Sequence, residues 1–259
     1  MKETVDAFHR GRFHVVQPKG EGHRSGMDAM LLASMVDADG PVSIADLGSG
    51  AGAAGLAVAS RISQARVLLV ERSPLMAEYA RKTLVLPENA AIAGRISVVE
   101  ADVTLIGKAR QAAGLKDEAH DHVIMNPPFN DPSDRRTPDA LKAEAHAMGD
   151  GLFESWIRTA GAILKPSGQL SLIARPQSIA EIIAACGRRF GGLEIIVVHP
   201  RPAEDATRVL VTAIKGSRAR LVFRAPLFVH GGEGHAFMKE VDDLNNGRVA
   251  YARRRAPKR

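Results

Sequence analysis

The sequence of 259 residues contains a single cysteine, Cys186. One thiol cannot close an internal disulfide, so no covalent staple supports the fold, which suits a reducing cytosol. Cys186 lies among helix-like apolar residues and reads as core packing rather than a nucleophile. Long apolar runs are missing as well. None approaches the ~18 residues of a membrane span, and the first residues lack the apolar stretch of a secretory leader. A soluble, cytoplasmic protein without membrane contact is expected. The nine histidines show no clustering with cysteines or acids at metal-ligand spacing. His120 and His122 flank an acid, but alternate residues of a strand do not converge on one ion with it. No metal site is expected. Internal repeats, low-complexity blocks and linker-like stretches are also lacking.

The body of the chain carries almost no excess charge. The formal net charge is +6, and residues 252–259 hold five positive charges and no acid. Setting those five aside leaves +1 for residues 1–251. The excess therefore sits on a basic tail, which can hold a phosphate backbone by counterion release or serve only as a solubilising end. With 45% apolar residues, a chain of this length can bury a full core. We expect one domain over residues 1–251, opened by a segment 1–40 that caps a cofactor, followed by the tail 252–259.

The first residues include Phe13, Val15 and Val16 in alternation, a short strand or extended arm. Ser25 and Asp28 are spaced as a capping box for an amphipathic helix over Ala29–Val36. The same turn could instead close over a ligand. From residue 42 the pattern becomes regular. Strands are expected at Val42–Leu47, Arg66–Glu71, Ile96–Ala101, His122–Met125, Leu170–Ala174, Leu193–Val198 and Arg208–Lys215. Helices are expected at Ala53–Ser60, from Ser73-Pro74 to about Leu86, at Leu105–Ala113, through His146, over 151–164 and at Ser178–Phe190. Trp156 falls at core spacing in the helix over 151–164, which stops before Pro166-Ser167-Gly168. This order implies an α/β, Rossmann-like, mostly parallel sheet with helices on both faces.

Two stretches carry chemistry. The first strand ends Asp46-Leu47-Gly48-Ser49-Gly50-Ala51-Gly52, where glycines let the chain turn tightly and a ligand approach closely. Residues 50–55 match the dinucleotide spacing G-x-G-x-x-G. Gly48, however, holds the strand end, and Asp46 precedes it. An acid there disfavours a pyrophosphate and favours an ammonium-bearing ligand such as S-adenosylmethionine (SAM) over a dinucleotide. Glu71 ends the second strand, where a carboxylate can accept both hydroxyls of a ribose. Asp102 follows the third strand and either binds an adenine amine or caps the helix starting near Thr104. Arg72 and Val103, beside these acids, complete the cofactor set.

The second stretch is Asn126-Pro127-Pro128-Phe129 after the fourth strand. Two prolines end the ladder and stiffen the turn. The Asn126 side-chain oxygen and the Pro127 carbonyl can accept both hydrogens of an amine on a planar group, while Phe129 stacks on that group. Conjugated amines are poor nucleophiles, so aiming the nitrogen at a methyl donor and favouring its developing positive charge is useful catalysis. Arg135-Arg136, just beyond, reads either as a solvated loop or as a phosphate contact.

Taken together, these residues resemble the class I SAM-dependent methyltransferases that act on amines attached to planar systems. Gln17-Pro18, Gly22-His23-Arg24-Ser25, Asp28-Ala29 and Leu31-Leu32-Ala33 narrow the resemblance to the tRNA(Val) adenine-N6 methyltransferase family, over residues ~7–247. The family often has an aromatic residue where this chain has His23. The resemblance implies a seven-stranded sheet with its last strand antiparallel. It also implies a target base flipped into the pocket, tRNA as partner, and Arg24, Ser25 and Asp28 near the cofactor. A protein glutamine amide or a guanine amine would suit the same turn. An NAD-binding oxidoreductase and a non-catalytic RNA-binding module are the more distant alternatives.

Overall fold

The computed structural model describes residues 2–19, 25–128, 151–232, 234–251 and 253. Arg24, Phe129, Arg135, Arg136 and the helical piece through His146 lie outside them.

A central sheet carries the chain. Its strands are β3 (Val42–Leu47), β4 (Ala65–Glu71), β5 (Ile96–Glu100), β6 (His120–Met125), β7 (Leu164–Ala174), β8 (Phe190–His199) and β9 (Arg208–Lys215). The spatial order is β8-β9-β7-β6-β3-β4-β5. All pairings are parallel except those of β9, which runs antiparallel between β7 and β8. The expected seven-stranded core with its last strand reversed is present. Two short strands, β10 (Val222–Phe223) and β11 (Leu227–Phe228), add to the outer edge of β8.

Both faces of the sheet are covered, because successive strand residues point to opposite sides and both sides are apolar. Ile44, Val67, Leu69 and Ile124 pack on one side with α1 (Met27–Ser34), α2 (Ala53–Arg61) and α3 (Pro74–Leu84). Ala45, Leu47, Val123 and Met125 pack on the other with α6 (Leu152–Ile163) and α7 (Ile179–Cys186). Two shorter helices, α4 (Ala90–Ala93) and α5 (Gly107–Ala112), flank β5, and α8 (Lys239–Asn245) lies near the C-terminus. Ser73 caps α3 by accepting the Met76 N–H at 3.4 Å, with Pro74 at the first helical position. Trp156 and Cys186 are core residues. Burial pushes the Cys186 thiol up to about 12, which leaves it unreactive.

Several expectations need correcting. The arm at residues 13–16 is one half of a hairpin, β1 (Glu3–Phe8) with β2 (Phe13–Pro18). Its inner edge is satisfied by α3 and the turn after it: Val16 N–H donates to Thr83 Oγ1 and His14 N–H to Asn89 Oδ1. Helix α1 is not amphipathic. Ala29–Ser34 are all buried, and a helix apolar all round belongs inside the core. Its capping box does not form. Gly26 is the N-cap and no side chain caps it. The Ser25 N–H donates to Gln17 Oε1 at 2.6 Å, while Asp28 pairs with Arg208 Nε at 2.8 Å. Long-range partners have displaced the local ones.

The turn at Pro166-Ser167-Gly168 lies inside β7 as a bulge, where Ser167 takes a left-handed φ of 61°. Helix α7 ends at Cys186, earlier than expected. Strand β8 begins at Phe190, because Gly191 and Gly192 admit a register shift against β9. Arg253, within the basic tail, is held in place: its guanidinium donates to Thr212 Oγ1 and the Gly192 carbonyl. It also lies 3.5 Å from the buried Glu194, which pairs with Arg224 as well.

Candidate functional site

The ends of β3, β4, β5 and β6 bring the expected residues together. Parallel register sets Leu47 opposite Met125, so Gly48 and Asn126 leave the sheet side by side, about 4.8 Å apart by strand spacing. On the other side Leu47 lies opposite Val70, and Glu71 lies opposite Glu100. The glycine loop, Glu71, Asp102 and Asn126 therefore line one crevice beyond the carboxyl ends of the strands, where open α/β sheets bind ligands.

The glycine loop is shaped from below. Gly48, Gly50 and Gly52 all have positive φ, at 68°, 56° and 93°. The Gly48 and Ser49 N–H groups both donate to the Val70 carbonyl, extending the β3–β4 ladder into the loop. A Cβ on Gly48 would press into the Trp156 indole, 2.9 Å from Cζ3, and one on Gly52 would lie 2.7 Å from Leu69 Cδ1. Trp156 is thus the floor under the loop. A Cβ on Gly50 would meet only Met76 Cε at 3.7 Å, so the open side of the loop is at Gly50.

Glu71 stitches the loop to β4. One carboxylate oxygen accepts the Gly50 N–H at 2.8 Å, and the other accepts the Ser73 N–H at 2.8 Å. Each oxygen keeps a lone pair for a further donor. Asp102 closes a local turn and caps no helix, since the next helix begins at Gly107 with Ile106 as its N-cap: Oδ1 accepts the Thr104 N–H at 2.8 Å and the Thr104 hydroxyl at 2.7 Å. Its Oδ2 faces Arg72 Nη1 at 3.8 Å, a half-exposed pair that contributes little to stability. Val103 turns its side chain into the core, and its carbonyl accepts the Thr159 hydroxyl at 2.6 Å. Only its backbone is left to face a ligand.

Asp46 lies beneath the loop rather than facing outward. It is 2% exposed, and Oδ2 accepts the Gly55 N–H of α2 at 2.9 Å. Burial pushes its carboxyl up to about 7. The Glu71 charge adds to this, and the Gly55 bond opposes it. An acid raised from 3.8 binds a proton in the fold that it has lost in the unfolded chain. Its contribution to stability is therefore present below about pH 4, falls as pH rises towards 7, and is flat above. Asp46→Asn should raise the melting temperature at pH 8 and give no gain at pH 4. The shift corresponds to a loss on the order of a few kcal/mol. His122 is buried and held down to about 3 by that burial, and His9 to about 4; both oppose this slope below pH 6.5. Comparing the variant with wild type isolates Asp46, and parallel melting curves at both pH values would refute the assignment.

Asn126 carries the sharpest signal. Its Oδ1 is buried and has no hydrogen-bond partner among the described residues. Buried acceptors are rarely left unmade, and this one lies beside the glycine loop. Pro127 is buried and Pro128 exposed, so the turn presents a fixed backbone at the crevice. Ser49 Oγ is a second buried acceptor without a partner among the described residues. Sequence reasoning missed Ser49, Thr159 and Arg208. It named Gln17 and Trp156 without their site contacts. Only Gln17 had a signal, its place in the motif next to Pro18.

A glycine cradle closed from below and open at Gly50, two carboxylates at successive strand ends, and an unpartnered amide oxygen suit a nucleoside bearing an amino-acid end. On this sheet they define a class I SAM-dependent methyltransferase. The methyltransferase small domain family matches residues 25–199, and the chain belongs to it. A solved structure from Agrobacterium tumefaciens, described as a predicted O-methyltransferase, is 63% identical. It superposes with a TM-score of 0.77 over 87% of this chain and 99% of that one. A tRNA1(Val) (adenine(37)-N6)-methyltransferase of Porphyromonas gingivalis is 29% identical over 247 residues, covering 89% of this chain and 90% of that protein. A release factor glutamine methyltransferase of Mycolicibacterium smegmatis is 38% identical over 109 residues, 42% of this chain and 35% of its own length. No helix among the described residues is long and apolar enough to cross a membrane.

Proposed function

We propose that the protein methylates the exocyclic N6 amine of adenine in RNA, with tRNA as the substrate. The observation that carries this reading is the buried Asn126 Oδ1, without a partner among the described residues, at the end of β6 beside the Gly48–Gly52 loop. The relative from Porphyromonas gingivalis, similar over nine-tenths of both chains, supports adenine in tRNA.

SAM, when bound, supplies an activated methyl group. Gly50 and Glu71 at the loop, with Asp102 and the Val103 backbone beyond β5, hold it. Arg24, Ser25 and Asp28 of the N-terminal segment add to this set, as does Arg72 beside Asp102. Asn126 Oδ1 accepts one hydrogen of the target amine and the Pro127 carbonyl accepts the other. This fixes the nitrogen's direction and favours the positive charge that develops on it. Phe129 stacks on the base. No general base is needed before attack, because the N–H bonds become acidic only as the nitrogen is alkylated. Residues 1–251 act as one domain.

Incubation with methyl-labelled SAM and either total RNA or total protein tests this. Label should appear as N6-methyladenosine in RNA of tRNA size. Label confined to protein would move the activity to a glutamine amide, which the relative from Mycolicibacterium smegmatis makes the second reading. Label on an oxygen would contradict the role given to Asn126.

A further inference from the structure

The C-terminal part of the chain builds a second feature on the same edge of the sheet. β8 runs parallel to β6 and β7, so His199 at its end lies on the Asn126 side. β11 pairs with this end, Phe228 opposite His199. The chain then returns on itself, with Met238 coming back to Val229. The Val229 and His230 N–H groups donate to the His199 and Pro200 carbonyls, and the Met238 N–H returns to the Val229 carbonyl. Arg201 clamps the loop from outside, donating to the Gly232 carbonyl at 3.0 Å and the Gly234 carbonyl at 2.8 Å. The Met238 side chain lies close over Gly231, where a Cβ would stand 2.6 Å from Sδ.

Three rings stand on this part of the chain. His230 and Phe237 stack with centroids 5.4 Å apart and planes 9° apart, and His235 meets His230 edge-on at 6.2 Å. The His230 Nδ1 bonds to the Ala236 carbonyl at 3.0 Å; a carbonyl only accepts, so Nδ1 carries the proton and the ring is locked. Phe237 is 41% exposed despite its stack, and His235 is exposed. Four strand spacings separate β6 from β11, about 19 Å.

We infer that Phe237 and His235 form a stacking platform for an unpaired base of the RNA substrate, a few nucleotides from the adenine held at Asn126. The inference rests on the RNA reading above. Exposed flat rings are what unstacked bases bind, and the stack on His230 already orients the Phe237 ring. The platform shares its edge with Asn126, so one strand of RNA can reach both. A second exposed aromatic, Phe223, lies lower on the β8 edge, opposite Ile195, and lies off this path.

Binding of an unmodified tRNA transcript to the full chain tests the platform. Phe237→Ala and His235→Ala should each weaken binding about tenfold, the range expected for one base–aromatic stack. Melting temperature, SAM affinity and kcat at saturating RNA should stay at wild-type values. Phe223→Ala should bind as wild type. Unchanged RNA binding in both platform variants overturns the inference, as does equal weakening by Phe223→Ala or a loss confined to a protein acceptor. If wild type methylates RNA adenine while both variants bind normally, the platform alone falls. If the variants lose RNA binding but wild type leaves adenine unmethylated, the platform stands and the proposed reaction falls.

Discussion

Asn126→Ala is expected to lower kcat by about 10²–10³, the usual cost of removing one preorganised hydrogen-bonding group from a reacting centre. The Kd for SAM should stay within about twofold, because the glycine loop and Glu71 do not depend on the amide. Stability should not fall. Asn126 Oδ1 makes no bond among the described residues, so truncation removes a buried acceptor and breaks no hydrogen bond among them. Isothermal titration with SAM, single-turnover methyl transfer and a melting curve on the same preparation separate the three quantities. Wild-type turnover in the variant would remove Asn126 from the reaction. A collapse in melting temperature would recast it as a structural residue.

Gly48→Ala should produce the largest loss of stability among substitutions at the site. The residue has a φ of 68°, and its Cβ would enter the Trp156 ring. Left-handed backbone costs an L-residue about 1–2 kcal/mol, and overpacking adds about 1–3 kcal/mol. A fall of roughly 10 °C in melting temperature is expected for a chain of this size. SAM affinity should drop at least tenfold, since the loop carries the Gly50 N–H and its Glu71 partner out of place. Gly48→Ala combined with Trp156→Phe relieves the collision but not the backbone strain, so the double variant should recover only part of the lost melting temperature. If the second change recovers nothing, Trp156 is not the floor of the loop.

Much of the fold was legible in the sequence because its signals are local. β3 and β9 have the expected limits, and β4, β5 and β6 differ by one or two residues. Glycine after a strand end and Ser-Pro before a helix act through their own backbone angles, so neighbours in the chain suffice to read them. Trp156 was legible as core for the same reason, by helical spacing. Its contact with Gly48 was not, since 108 residues separate the two in the sequence.

Where the reading missed, two partners with similar chemistry competed and the distant one won. Ser25 and Asp28 had the spacing of a capping box, yet Gln17 and Arg208 take them. Arg253 looked like part of a free basic end, yet Glu194, Thr212 and the Gly192 carbonyl hold it. Asp46 looked like an acid beside a ligand, and burial beneath the loop makes it a clamp on α2. Helix α1 looked amphipathic, and packing on several sides buries all of Ala29–Ser34.

The sequence alone determined the order of strands and helices, the positive-φ glycine loop and the stiff Asn-Pro-Pro turn, because each depends on residues that touch through a few bonds of backbone. Tertiary structure decided that the loop and the turn stand side by side, that Trp156 shapes the loop from below, and that the Asn126 acceptor is buried with no partner among the described residues. Those facts depend on strand register and on burial, which bring together residues that the chain order holds far apart.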